Sequence, residues 1–148
     1  MSGQIVFEKR DGKYDAMFIE RGGALEEIAC PKQRPIPHDM FHYAVEHTLQ
    51  KRGFLNRASE GEGVGFRMAA EATSEAVERL VETMQADSWS GRPEPAEVID
   101  MFHTTCAARG DQPFPLSEDE IVLIRAEVDR LAAEWDALPV RGRMTLKI

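Results

Sequence analysis

The chain has 148 residues, of which 43% are hydrophobic and 30% are charged, the size and composition of a single folded domain with its own core. Its net charge of −8 opposes binding to nucleic acid, because affinity for phosphates comes from Lys and Arg. The N-terminus has no basic segment leading into an apolar run, and no stretch approaches the roughly 20 apolar residues that span a bilayer, so we expect a cytoplasmic protein.

The N-terminal part predicts three β-strands. Apolar runs at residues 5–7, 14–19 and 25–28 are separated by Asp-Gly and Gly-Gly turns, a pattern typical of an antiparallel meander. A three-residue loop between the first two strands places Glu8 opposite Ala16. This register is favoured over one that places Glu8 opposite Asp15, because two carboxylates at facing positions repel each other. Apolar residues on both faces of the second strand predict that it is central.

Three of the four histidines lie in one predicted helix, within the stretch P-I-P-H-D-M-F-H-Y-A-V-E-H. The preceding prolines favour a helix start near His38. At about 100° per residue, His38, His42 and Glu46 fall at about 0°, 40° and 80°, which places them in a row along one side. Asp39 borders this row and His47 points away. The apolar stripe of this helix predicts that the two histidines edge the core while Asp39 and Glu46 point further out.

The rest of the chain predicts three further helices and a final strand. We expect the first helix to end at Arg52 with Gly53 as its cap. The glycines of E-G-E-G-V-G, residues 60–65, lack the Lys and Ser/Thr of a phosphate-binding loop, which favours a flexible loop and allows one that covers the site. Helical spacing, caps and a period-two tail then predict helices over about 68–86, 98–110 and 118–138 and a strand at residues 143–148.

These elements predict an α+β fold for residues 1–148. We expect one antiparallel sheet, built from the three N-terminal strands and the C-terminal strand, packed with about four helices. The two cysteines, Cys30 and Cys106, lack C-x-x-C spacing, which indicates free thiols in a reducing compartment and excludes a zinc knuckle.

The histidine helix is a candidate metal site. Two histidines four residues apart bind a metal through both imidazoles, and a carboxylate on the same row is a further ligand or a partner of one imidazole. We therefore take His38, His42 and Glu46 as candidate ligands of a divalent metal such as zinc. Asp39 is a candidate catalytic residue, because it stands where H-E-x-x-H proteases carry their general base, with a side chain one methylene shorter.

A structural reading of the same residues remains open. A histidine beside a core stripe is often a packed, hydrogen-bonded residue, and Asp39 in the first turn also suits the helix dipole. In that case the chain is a non-catalytic binding module or a homo-oligomer in which this helix is structural.

The stretch P-H-D-M-F-H-Y-A-V-E, with Gly53-Phe54 and the late W-x-x-L-P at residues 135–139, resembles a motif of small bacterial proteins of uncharacterised function. This resemblance implies a shared fold and no activity. The pentapeptide H-D-M-F-H is also similar to the H-D-x-x-H of the Coq4 family of ubiquinone biosynthesis, in which the motif binds zinc together with a downstream glutamate. Phe54 stands at the position of that glutamate. The sequence therefore names no reaction, substrate or pathway.

Overall fold

The computed structural model describes residues 4–21, 23–49 and 72–147. Within these ranges four strands and four helices follow the predicted order. Their bounds are β1 Gln4–Glu8, β2 Tyr14–Arg21, β3 Ala24–Pro31, α1 His38–Leu49, α2 Ala72–Trp89, α3 Pro95–Arg109, α4 Glu118–Ala137 and β4 Arg143–Lys147. The expected α+β class is confirmed. The predicted end of the first helix, the glycine loop, the start of the second helix and Phe54 lie outside the described residues.

The sheet is antiparallel, with strand order β3-β2-β1-β4. Glu8 pairs with Ala16, which confirms the register favoured on charge grounds, and β2 is flanked by β1 and β3 as predicted. Phe7 on β1 lies between Met17 of β2 and Met144 of β4, and all three side chains are buried. One face of the sheet therefore supplies a continuous apolar surface against which helices pack.

Local chemistry explains where the later helices begin and end. Ser117 caps α4 with a reciprocal capping box to Glu120, as the S-x-x-E motif predicts. Gly110 ends α3 in the left-handed conformation, with φ of 71°, which a residue without a Cβ adopts at no steric cost. Helix α2 runs three residues beyond its predicted end, so Trp89 closes a helix instead of lying in a turn, and its indole N–H donates to the carbonyl of Arg34.

Helix α1 is the central helix of the fold. It contacts α2, α4 and β3, and every residue from Asp39 to Glu46 is buried. The expectation that Asp39 and Glu46 point away from the core is therefore wrong. The helical wheel assigned one buried stripe to a surface helix, whereas α1 is covered by neighbours on several sides and encloses its polar residues as well.

Helix α2 is fixed beside α1 by a buried ion pair to α4. The guanidinium of Arg125 donates to both oxygens of Asp87, at 3.0 and 2.6 Å, and to the carbonyl of Pro93. Because α4 also packs on α1, this ion pair fixes the position of α2 relative to α1. Among the described helices, none has the length and apolar character needed to cross a bilayer.

Candidate metal centre

Two histidines of α1 and one glutamate of α2 converge where these helices pack. His38, His42 and Glu78 each offer a ligand atom, and the three atoms lie within 4.8 Å of one another. The two imidazole rings meet edge to face, with centroids 5.0 Å apart. His42 is fully buried, whereas the side chain of Glu78 keeps 20% of its exposure. The cluster therefore has one interior wall and one side nearer the surface.

The donor set suits a divalent transition metal. Bond lengths of about 2.0–2.1 Å in a tetrahedral site place neighbouring donor atoms about 3.4 Å apart. The distance from His42 Nε2 to the Glu78 carboxylate is 3.5 Å. Two imidazoles and one carboxylate are also the ligands of a common type of zinc site. The residue types present therefore fit such an ion, and the separation of His42 Nε2 from the Glu78 carboxylate fits it as well.

Glu46 supports His42 from its other ring nitrogen. Its carboxylate lies 3.3 Å from His42 Nδ1, and both side chains are fully buried. A carboxylate that accepts the Nδ1–H leaves Nε2 to act as the ligand and fixes the plane of the ring. Glu46 thus contacts His42 on Nδ1, where a partner of a ligand imidazole would lie, and Glu78 is the carboxylate near Nε2.

The charges around His42 favour a cation at this point. Burial lowers the pKa of His42, but the hydrogen bond to Glu46 and the adjacent carboxylates of Glu46 and Glu78 outweigh burial and raise it to about 10. Without a metal, the ring is therefore an imidazolium that lies between two carboxylates.

Among the described residues, Asp39 is not one of those whose ligand atoms converge. It lies near Cys30 of β3. Burial, followed by the negative charge of Asp39, raises the pKa of Cys30 well above its usual range, so Cys30 remains a protonated thiol. The catalytic role of Asp39 stays a prediction.

Glu78 is the residue that sequence reasoning missed. It lies on the polar side of an amphipathic helix among other glutamates, and no motif links it to His38 or His42. Only the packing of α2 against α1 brings it to them. Gln85 lies seven residues later, hence on the same face of α2, and it contacts His38. Glu78 and Gln85 are polar residues seven positions apart beside a buried stripe. Their spacing is the one feature of the sequence that indicates this face of α2.

A separate open cavity of about 490 Å³ lies at the other end of the β3–α1 loop. Two of the three cations in its lining are engaged by neighbouring groups. Lys9 donates to two carbonyl oxygens at the C-terminal end of α4, and Lys32 pairs with buried Asp15 at 2.7 Å. Arg34 is the third cation. Its lining residues are Lys9, Asp15, Lys32, Gln33, Arg34, Pro35, Trp135 and Asp136.

Comparisons with known proteins found no match to a protein-family model, to a curated protein sequence or to a solved structure. The chemistry of the cluster is accordingly the basis for a functional conclusion.

Proposed function

We propose that this protein binds a divalent metal ion, such as zinc, through His38, His42 and Glu78. The observation that carries the proposal is the convergence of these donor atoms within 4.8 Å of one another, from two different helices. Glu46 supports the site by holding the ring of His42.

The local charge supports the same proposal. The carboxylates of Glu46 and Glu78 flank the ring of His42 at 3.3 and 3.5 Å. A divalent cation placed beside carboxylates is favoured electrostatically in a medium of low dielectric constant.

The ligand number favours a metal-dependent enzyme within this proposal. Three protein ligands from the described part of the chain match the number found in catalytic zinc sites. A bound metal there supplies Lewis acidity toward water or a polar substrate group. The protein's own contribution is to orient the two imidazoles and to keep one side of the cluster near the surface.

Metal titration of purified protein tests the proposal. Wild-type protein and the exposed-histidine control His103→Ala are expected to bind one equivalent of zinc. His42→Ala and Glu78→Gln are expected to bind at least tenfold more weakly, because each loses a ligand. Glu78→Gln keeps the shape of the side chain, so it reports on ligation even where His42→Ala alters folding. Wild-type protein without metal, at zinc concentrations that saturate ordinary sites, would sink the proposal.

A structural role is the second candidate, and the arrangement around His42 favours it. The positive charge of an imidazolium at His42 is offset by the carboxylates of Glu46, at 3.3 Å, and Glu78, at 3.5 Å, without an ion. The protein would then be a non-catalytic binding module or a homo-oligomer with a polar helix in its interior. In that case a chelator leaves the melting temperature unchanged, while His42→Ala lowers it strongly. The metal proposal predicts instead that zinc raises the melting temperature and that chelation reverses the rise.

We further propose a cytoplasmic location, no nucleic-acid partner and no membrane association. The two cysteines are free and buried, which suits a reducing compartment, and the net charge of −8 opposes phosphate binding. Bacterial origin and a homo-oligomeric state stay predictions from the sequence.

A further inference from the structure

Three arginines surround the buried carboxylate of Glu8 at the end of β1. Glu8 accepts hydrogen bonds from Arg10 and, at 2.7 Å, from Arg143. Arg141 Nη1 lies 3.5 Å from the same carboxylate. Arg10 also approaches Glu27 of β3, at 3.6 Å. The arginine cluster, Arg10, Arg141 and Arg143, thus brings three positive charges to two carboxylates, on a chain whose net charge is −8.

The arginine cluster lies on the face of the sheet that points away from the helices. Glu8 follows Phe7, whose side chain is buried under the helices, and successive side chains of a strand point to opposite faces. On the outer face, the guanidinium of Arg143 lies over the half-buried ring of Phe18, 5.0 Å from its centroid. The side chains of Arg141 and Arg143 keep 69% and 56% of their exposure. Within the described ranges, both arginines share Glu8 as their one carboxylate partner, so their positive charge exceeds what the chain itself balances.

Arg141 lies in the turn between α4 and β4, in a backbone conformation that favours glycine. Its φ is 76°, in the left-handed region that residues with a Cβ rarely adopt. Arg92 is the second described residue of this kind, and it donates to both oxygens of Asp129, so a close ion pair depends on its side chain. Arg141 has only the 3.5 Å contact with Glu8. A non-glycine residue held in this region is a signature of a functional position, and here the contacts within the chain do not account for it.

We propose that the arginine cluster is the docking site for an acidic segment of a partner protein. The occupant follows from charge, because the cluster is a positive surface on an acidic chain and a guanidinium binds a carboxylate through two parallel hydrogen bonds. Arginine and aromatic side chains, here Arg143 on Phe18, are also enriched where proteins bind each other. The guanidinium groups of Arg141 and Arg143 bind carboxylates of the segment. This inference is independent of the metal site.

Fluorescence anisotropy of a labelled oligoglutamate peptide tests the proposal with the full-length protein, and an oligoglutamine peptide of the same length is the control probe. Wild-type protein is expected to bind the oligoglutamate peptide only. Arg141→Gly and Arg143→Gln should bind it about three- to tenfold more weakly, because each loses a charged hydrogen-bonding group. Arg109→Gln, at an exposed position on α3, removes the same charge elsewhere and should leave affinity unchanged.

Thermal unfolding of Arg141→Gly separates docking from folding. Glycine adopts a positive φ without steric cost, so this variant is expected to melt at or above the temperature of wild type while its affinity for the peptide falls. A marked fall in its melting temperature would count against the proposal, because the fold itself would then require the arginine. Absence of peptide binding to wild type, or equal affinity in Arg141→Gly, Arg143→Gln and Arg109→Gln, would overturn it. Tighter binding of inorganic tripolyphosphate or of anionic phospholipid vesicles than of the peptide would overturn the choice of an acidic protein segment.

Discussion

His42 is the residue on which the candidate site depends, because it contacts a carboxylate through each ring nitrogen. Glu46 lies at Nδ1, 3.3 Å away, and Glu78 at Nε2, 3.5 Å away. The two carboxylates have different tasks in the proposed site. Glu78 is a proposed ligand of the metal, whereas Glu46 fixes the plane of the His42 ring.

Replacing Glu46 by Gln should separate these tasks. The variant keeps the shape of the side chain and removes the charge that strengthens the Nδ1–H hydrogen bond, so we expect zinc affinity to fall about tenfold to hundredfold while stoichiometry stays at one. Competition with a chelator measures the change. Glu134→Gln, an exposed carboxylate on α4 that pairs with Arg130, is the control. Unchanged affinity in Glu46→Gln would remove Glu46 from the site.

The buried carboxylate of Glu8, outside the candidate site, makes the free energy of unfolding depend on pH. Glu8 accepts hydrogen bonds from Arg143, at 2.7 Å, and from Arg10, and these contacts lower its pKa below the usual value of 4.5. A depressed pKa in the folded state means that the ionised carboxylate stabilises the fold above about pH 4.5, and that this stabilisation is lost as the pH falls through the lowered pKa.

Urea unfolding of Glu8→Gln at several pH values checks this sign. The variant cannot ionise at position 8, so its free energy of unfolding should change less than that of wild type between pH 5 and about pH 3. Lys147→Met, on the exposed side of β4, serves as a control for a change of charge on the same sheet. An equally steep acid dependence in Glu8→Gln and wild type would contradict the assignment.

At the scale of elements, the site exists because α2 is held at a fixed position beside α1. The buried pair of Asp87 and Arg125 provides much of this restraint, since Asp87 is only 1% exposed. Removing one partner of a buried pair leaves an uncompensated charge, which costs more than the pair itself contributes.

Arg125→Leu is therefore expected to lower the free energy of unfolding by about 3–5 kcal/mol. Arg130→Leu is the matched control on the same helix, and loss of its exposed pairs with Glu127 and Glu134 should cost at most about 1 kcal/mol. Chemical denaturation measures both values. Equal small losses in the two variants would show that Asp87 finds water or another partner, and that the ion pair does not position α2.

Elements marked by local chemistry could be predicted from the sequence, and elements defined by packing could not. Ser117, Gly110 and the alternating tail each act within a few residues, so the start of α4, the end of α3 and the position of β4 followed from them. The start of α3 at Pro95 lies three residues before the predicted one. The burial of Glu46 and the approach of Glu78 depend on which helices surround α1. The sequence of α1 alone does not show that other elements pack against this helix on several sides.

At the scale of the whole molecule, pairing of β1 with β4 joins the N-terminal and C-terminal parts of the chain in one sheet, as the period-two tail predicted. The sheet supports α1 through β3, and α1 contacts α2 and α4. This layered arrangement explains how a cluster of two histidines and two glutamates can be enclosed within a small domain. The two histidines could be identified from their spacing in the sequence, whereas Glu78 could be identified only from the fold.

Anomalous diffraction from crystals of the zinc-loaded wild-type protein tests the central claim most directly. We predict one peak at the zinc absorption edge, bonded to a ring nitrogen of His38, Nε2 of His42 and a carboxylate oxygen of Glu78, with Glu46 at Nδ1 of His42. A crystal without such a peak, or with zinc bound only at other residues, would contradict the account and leave the cluster as buried polar packing.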